Sequence, residues 1–155
     1  MKGLYIGRFD PFHLGHLKAY DFLCKIIDEV KIGIGERREN DFLTLEERIT
    51  GIYENTGVQP IELEDLDCNH PFYWDWGKYV LGKIEDIEIV ATGNDYVGDD
   101  FIKNDIPVLW LPRYNNISGT LIRNKISEGD DSWKLLVPRK TKLLILNSMR
   151  YRETK

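Results

Sequence analysis

Short apolar runs alternate with amphipathic stretches of helical length along most of the chain, and that alternation admits few folds. Gly3–Ile6 reads as a buried first strand ending at Gly7. Gly15 to Glu29 holds no proline and sets Leu17, Tyr20, Leu23 and Ile27 at helical spacing. Val30–Ile34 reads as a second strand stopped at Gly35, followed by a polar loop over Glu36–Asp41. Thr44-Leu45-Glu46-Glu47 is a capping box: the threonine oxygen takes the amide three residues on, and Glu47 reaches back. Its helix carries Leu45, Ile49 and Ile52 on one face and should stop at Gly57. Val58–Leu63, Ile87–Ala91 and Pro107–Leu111 read as further strands, with an aromatic-rich loop from Asp65 to Trp76. Helices are predicted over Asp95–Lys103, from a Ser118 cap to Gly129, and from Pro138 to Met149. Strands separated by helical stretches predict an α/β fold: a parallel sheet of about five strands with helices on both faces, plus C-terminal helices. Ligands of such sheets sit outside the carboxyl ends of the strands, so the loops after strands one, four and five are where chemistry is expected.

A chain of 155 residues suits a single domain over residues 1–155. Its 21 basic and 26 acidic residues leave −5, which argues against nucleic acid or an anionic membrane as the partner. No apolar run approaches the ~18 residues that span a bilayer. Arg8 and Asp10 come too early for a signal peptide. Cys24 and Cys68 form no C-x-x-C pair, so neither a disulfide framework nor a zinc site is indicated, and Cys24 is assigned to the core. These features together predict a cytoplasmic protein.

The loop Gly7-Arg8-Phe9-Asp10-Pro11-Phe12-His13-Leu14-Gly15-His16 holds two of the three histidines, three residues apart with glycine between them. A helix that starts there offers free amides and about half a positive charge, and Gly15 would let a phosphate approach its backbone. Two imidazoles at that end can donate hydrogen bonds to phosphoryl oxygens. The Walker glycine-lysine pattern is absent. A second phosphate-friendly helix end is Ile117-Ser118-Gly119-Thr120-Leu121-Ile122-Arg123, where Ser118 and Thr120 bring hydroxyls to the helix start and Arg123 follows a turn later. Trp110 and Trp133 read as packing residues.

The pair H-x-G-H and I-S-x-T-x-x-R resembles the nucleotidylyltransferase superfamily, whose fold is Rossmann-like. Further stretches are similar to its archaeal-type nicotinamide mononucleotide (NMN) adenylyltransferases: Gly7-Arg8-Phe9, Pro11-Phe12-His13, Gly33-Ile34-Gly35, Glu47-Arg48-Ile49, Asp67-Cys68-Asn69, Gly93-Asn94 and Trp133…Leu136-Val137-Pro138. The resemblance implies transfer of AMP from ATP to the 5′-phosphate of NMN, giving NAD and pyrophosphate, with Mg2+ held mainly through substrate phosphates and no dedicated metal ligands. It implies catalytic roles for His13, His16, Arg123 and Arg8. Gly7, Phe9, Gly15, Arg48, Ser118 and Thr120 complete the ATP-binding set it implies, with Arg48 facing phosphate. Trp76, with Trp74 as the alternative, would stack on the nicotinamide ring, and Asn69, Asp67 and Asn94 would lie near that nucleotide. Relatives of this kind are commonly homo-oligomers. Asp10 departs from the branch's usual glutamine, and the loop from Asn69 to Trp76 is expanded. A sister enzyme acting on FMN, phosphopantetheine or another phosphorylated acceptor, and an ATP-binding sensor without turnover, are the alternatives.

Overall fold

The computed structural model, which describes residues 1–36 and 41–154, resolves the alternation into five strands. Residues 37–40, inside the loop expected at Glu36–Asp41, and Lys155 lie outside the described residues. Strands β1 (Lys2–Gly7), β2 (Glu29–Gly35), β3 (Ile61–Leu63), β4 (Ile89–Thr92) and β5 (Val108–Trp110) pair in parallel in the order β3-β2-β1-β4-β5. Leu4, Tyr5 and Ile6 are all buried, as a strand covered on both faces requires. Tyr5 stands in register with Ile32 of β2 and Ala91 of β4. The winding reverses between β1 and β4, the position at which open α/β sheets form their ligand crevice. The loops leaving those two strands begin at Arg8 and Gly93.

The helices are α1 (Leu14–Ile26), α2 (Leu45–Thr56), α3 (Trp76–Lys83), α4 (Asp95–Ile102), α5 (Gly119–Ser127), α6 (Arg139–Leu146) and α7 (Met149–Glu153). Among the described residues none is long and apolar enough to cross a membrane. The chain divides into two compact units, one of Met1–Gly7, Phe22–Glu36 and Ile61–Pro112, the other of Arg8–Asp21, Arg37–Pro60 and Arg113–Lys155. The first holds the sheet, α3 and α4; its core joins Leu4, Ile6, Leu63 and Val90 to Val80 of α3, Ile84 just beyond that helix and Phe101 of α4. The second buries Leu43, Ile122, Ile126, Trp133, Val137, Ile145 and Tyr151 around α5, α6 and α7.

The capping box forms as expected: Glu47 N–H donates to Thr44 Oγ1 at 3.1 Å, Thr44 N–H to Glu47 Oε1 at 3.0 Å. Gly57 closes α2 in the left-handed conformation, with φ 75°. Four expectations need correction. Trp76, placed at the end of the expected loop, instead begins helix α3, which runs on through a stretch to which no element was assigned: Asp75 caps it by accepting from Lys78 N–H, and Gly77 and Gly82 disguise it. Strand β3 is limited to Ile61–Leu63, because Pro60 has no N–H for the ladder. The C-terminal helix breaks at Asn147–Ser148, where buried Ser148 donates to the Ile145 carbonyl and accepts from Tyr151 N–H, starting α7. Cys24 is exposed rather than in the core, since the buried face of α1 is carried by Ala19 and Leu23. Trp133 packs as expected, fully buried with its ring edge-on to Tyr151 at 5.8 Å.

Gly77 is required by the α3–α4 contact: a Cβ there would lie 2.6 Å from the Asp100 carbonyl oxygen, whereas one at Gly82 would meet nothing within 4 Å. Gly77→Ala should therefore cost about 1–3 kcal/mol by overpacking. That lowers Tm by roughly 3–10 °C, while Gly82→Ala leaves it unchanged or slightly raised. Thermal unfolding of the two variants checks this; equal behaviour would refute the close contact.

Candidate active site

The stretch from Arg8 to His13 must turn out of β1, bury two phenylalanines and start α1. Phe9 takes a left-handed φ of 55° and the Asp10–Pro11 peptide is cis. Phe9 and Phe12 are buried and form an apolar floor, with the His16 ring 4.7 Å from Phe9 and 5.5 Å from Phe12. The His13 ring stacks on that of His16, centroids 3.6 Å apart. Gly15 N–H and His16 N–H donate to His13 Nδ1 at 3.0 and 3.3 Å, and His13 N–H donates to His16 Nδ1 at 3.1 Å. Leu14 N–H donates to the Leu136 carbonyl. The cradle of free amides expected at this helix start is thus replaced by an internally satisfied cap. A Cβ at Gly15 would fall 2.9 Å from the His13 ring, so this glycine makes room for the imidazole.

An Nδ1 that accepts from a backbone N–H leaves a neutral imidazole with its proton on Nε2. Burial pushes the pKa of His13 down to about 4, and the charges of Arg113 and Arg123 act in the same direction. Burial also holds His16 well below the ordinary histidine range, with His13 adding to the effect. At neutral pH both rings are therefore uncharged Nε2–H donors of fixed tautomer.

Arg123 comes to the same loop from α5. Its Nη1 donates to the Asp10 carbonyl at 2.6 Å and its Nη2 to Thr120 Oγ1 at 3.1 Å. Gly119 is the residue that permits this passage, because a Cβ there would lie 2.7 Å from Arg123 Nη1 and 2.9 Å from the Asp10 carbonyl. Ser118 caps α5 by accepting from Leu121 N–H at 3.1 Å. A third strut comes from the segment before α2: Phe42 N–H and Leu43 N–H donate to the Asp10 carboxylate at 2.7 and 2.9 Å. Next to it, the buried Asp41 carboxylate pairs with Arg8 and, at 3.1 Å, with Arg48. Arg48, expected to face phosphate, is instead fully buried, with Nη1 donating to the Arg8 carbonyl.

So the structure gathers Arg8, Phe9, His13, Gly15, His16, Arg48, Ser118, Thr120 and Arg123 in one unit. A cavity of about 300 Å³ opens beside Gly15, lined by Leu14, Leu17, Lys18, Asp21, Tyr114, Asn115 and Ile117. Asn115, in its lining, and Asn116 after it stand in succession at positive φ, a conformation asparagine tolerates better than most residues. Gly7, Trp74, Trp76, Asn69, Asp67 and Asn94 belong to the sheet unit. Trp76 is partly buried; its Nε1–H donates to the Glu64 carbonyl at 2.9 Å and its ring stands edge-on to Phe101. Trp74 is 83% exposed. Asn69 N–H donates to Asp67 Oδ1, and Asn94 Oδ1 caps α4. Sequence reasoning missed Arg113 and Asp41: neither carries a local pattern, and each matters only through residues distant in the chain.

The low histidine pKa makes the fold acid-sensitive. Between about 4 and the unfolded value of 6.5 the unfolded chain binds a proton that folded His13 refuses. Stability is therefore complete above pH 6.5 and falls as pH drops toward 4, by about 3 kcal/mol for this one group. Asp130, held down to about 2, contributes its own loss only at lower pH. His13→Asn keeps an acceptor for the Gly15 amide and removes the titration. Urea unfolding from pH 7 to 4.5 should show a shallower slope for the variant; equal slopes would disprove the neutral buried imidazole.

The chain matches the cytidylyltransferase-like family over residues 4–125. It is 33% identical over 151 residues to the nicotinamide-nucleotide adenylyltransferase of Thermococcus onnurineus, covering 89% of this chain and 78% of that protein. It is 35% identical over 149 residues to that of Methanolobus tindarius, covering 88% and 83%. Among solved structures, NadR protein in complex with NAD and AMP-PNP aligns with a TM-score of 0.66 at 22% identity, over 82% of this chain and 42% of that one. A bifunctional NMN adenylyltransferase/ADP ribose pyrophosphatase from Francisella tularensis aligns at 0.65 and 19%, over 99% and 52%. At such identities these two likenesses concern the fold, and this chain spans about half of each or less. With the histidine pair, the I-S-x-T-x-x-R segment and the β3-β2-β1-β4-β5 sheet in place, the chain belongs to the cytidylyltransferase-like family of the nucleotidylyltransferase superfamily.

Proposed function

We propose that the protein transfers AMP from ATP to the 5′-phosphate of NMN, with residues 1–155 acting as one nucleotidylyltransferase domain. The observation that carries this reading is the locked histidine pair: two Nε2–H donors of fixed tautomer, beside Arg123, in a chain about one third identical to nicotinamide-nucleotide adenylyltransferases. An oxygen of the acceptor phosphate attacks the α-phosphorus, the bond from that phosphorus to the β-bridging oxygen breaks, and pyrophosphate leaves with the electron pair. The nucleophile is largely a dianion at pH 7, as phosphate monoesters have a second pKa near 6, so no general base is required. The difficulty is bringing two polyanions together and stabilising the charge that builds on the leaving group.

His13, His16, Arg8 and Arg123 supply donors for the α-phosphoryl and pyrophosphate oxygens. Because the imidazoles are held before substrate arrives, little reorganisation remains for the reaction itself; such preorganised donors contribute about 10²–10³-fold each. In this reading the cavity beside Gly15 receives the adenosine, with Leu14, Leu17 and Ile117 as apolar lining and Asn115 as a polar contact. Gly7 and Phe9 shape the loop, Ser118 and Thr120 hold α5 and Arg123, and Arg48 acts through Arg8 and Asp41. Trp76, with Trp74 near it in the chain, offers an aromatic face for the cationic nicotinamide ring, an attraction of about 0.5–2 kcal/mol. Asn69, Asp67 and Asn94 would take polar groups of that nucleotide. Mg2+ would arrive on the triphosphate, mostly ligated by phosphate oxygens and water, and supply charge neutralisation. The site's own donors are N–H groups, which fit the phosphate oxygens rather than the cation. A cytoplasmic location fits the two free, exposed cysteines, and assembly as a homo-oligomer belongs to the same reading.

His16→Ala should lower kcat by on the order of 10²-fold while the far-ultraviolet spectrum stays native. A variant turning over like wild type would sink the assignment. Trp76→Ala should raise KM for NMN about tenfold and leave that for ATP unchanged. Equal losses for both substrates would make Trp76 structural. Product analysis with ATP and Mg2+ against NMN, deamidated NMN, FMN and phosphopantetheine tests the reaction itself, NAD with a preference for NMN being expected.

A further inference from the structure

Arg8 is the more exposed of the two proposed phosphate-binding arginines, its side chain 42% exposed against 34% for Arg123, and an exposed arginine loses about 2 kcal/mol of rotamer entropy when it is fixed. In this structure it is restrained beforehand. Its guanidinium pairs with the Asp41 carboxylate, whose side chain is 1% exposed. That carboxylate is itself pinned by Arg48, which is 0% exposed, and Arg48 returns a hydrogen bond of 3.0 Å to the carbonyl of Arg8. The main chain and the side chain of one residue are thereby tied to the same pair of buried groups. The circuit is joined to the histidine loop through the next residue, since Phe42 N–H and Leu43 N–H hold the Asp10 carboxylate while the Asp10 carbonyl receives Arg123. Two guanidiniums thus meet on one buried carboxylate.

We infer that Asp41 is a positioning residue for triphosphate binding: acting through Arg8, it fixes the guanidinium where the phosphates of the nucleotide meet it. The inference rests on the proposed adenylyl-transfer site and extends it to a residue outside both sequence motifs. A carboxylate that merely competed with phosphate for Arg8 would have the opposite sign, its removal tightening anion binding. One that only stabilised buried Arg48 would act whether or not Arg8 were present.

A double-mutant cycle on the full chain separates these. Binding of inorganic tripolyphosphate is measured by calorimetry for wild type, Asp41→Asn, Arg8→Ala and the double variant, with kcat and the two KM values of NAD formation alongside. Asp41→Asn should weaken tripolyphosphate binding on the order of tenfold in the wild-type background and less than about twofold in the Arg8→Ala background. Equal losses in both backgrounds, or tighter binding by Asp41→Asn, would overturn the inference. Asp41→Glu keeps the charge on Arg48 and displaces the carboxylate by one methylene; it should keep Tm within a few degrees and still weaken tripolyphosphate, which preserves the test if Asp41→Asn does not fold. Unchanged binding by a folded Asp41→Glu would also overturn it. If the cycle couples but no NAD forms, the positioning role stands and the NMN reading falls; if wild type binds no tripolyphosphate, both fall.

Discussion

The site depends on how the first amides of α1 are satisfied. A helix start normally leaves several N–H groups without partners, and those groups attract anions or water. Here the ring of His13 takes two of them and the Leu136 carbonyl takes another. That choice fixes the tautomer of His13, and the reciprocal bond from His13 N–H fixes that of His16. The two Nε2–H groups then have one direction in which to donate. Gly15 follows from the same requirement, since any side chain would strike the imidazole it must pass.

Burial sets the charge state that makes this arrangement useful. The His16 ring rests against Phe9 and Phe12 and the His13 ring stacks on it; both are poorly solvated, so the imidazolium form is disfavoured and the two histidines can stack at 3.6 Å without repelling. In the proposed reaction the positive charge for a polyanion would come from arginines anchored at their own ends, Arg123 on the Asp10 carbonyl and Arg8 on Asp41. The Asp41–Arg48 pair contributes little net stability by being buried, because desolvation offsets much of the attraction. Its value is geometric: it gives the Arg8 carbonyl and the Arg8 guanidinium a common reference.

What could be read from the sequence was local or carried by a motif. The Thr44–Glu47 box, Gly57 and the Ser118 cap involve residues within four positions of one another, and each forms as the pattern predicts. Helix α3 was hidden because its glycines serve a contact with α4 that no local rule anticipates: Gly77 admits the Asp100 carbonyl. Cys24 looked internal by composition, yet the rotation of α1 leaves it outward. Asp10 and Asp41 reach their partners across 32 and 33 positions, and nothing in a single sequence marks such a pairing. The burial of Arg48 was missed for the same reason, as its partners lie in the segment before α2 and the loop after β1.

Why the two motifs identify the family so well can be argued from these contacts. In H-x-G-H, glycine accommodates the first histidine, the first histidine caps the amides of the glycine and the second, and the second accepts from the first. In I-S-x-T-x-x-R, serine starts the helix, the glycine in the variable position clears the path of the arginine, and threonine accepts from its guanidinium. The arginine then closes on the carbonyl of Asp10, three residues before the first histidine. The motif residues are thus constrained chiefly by one another, in a circuit already closed. A change at either glycine should therefore disturb donors beyond the one it strikes, which is why a pattern of so few letters carries so much of the loop's geometry.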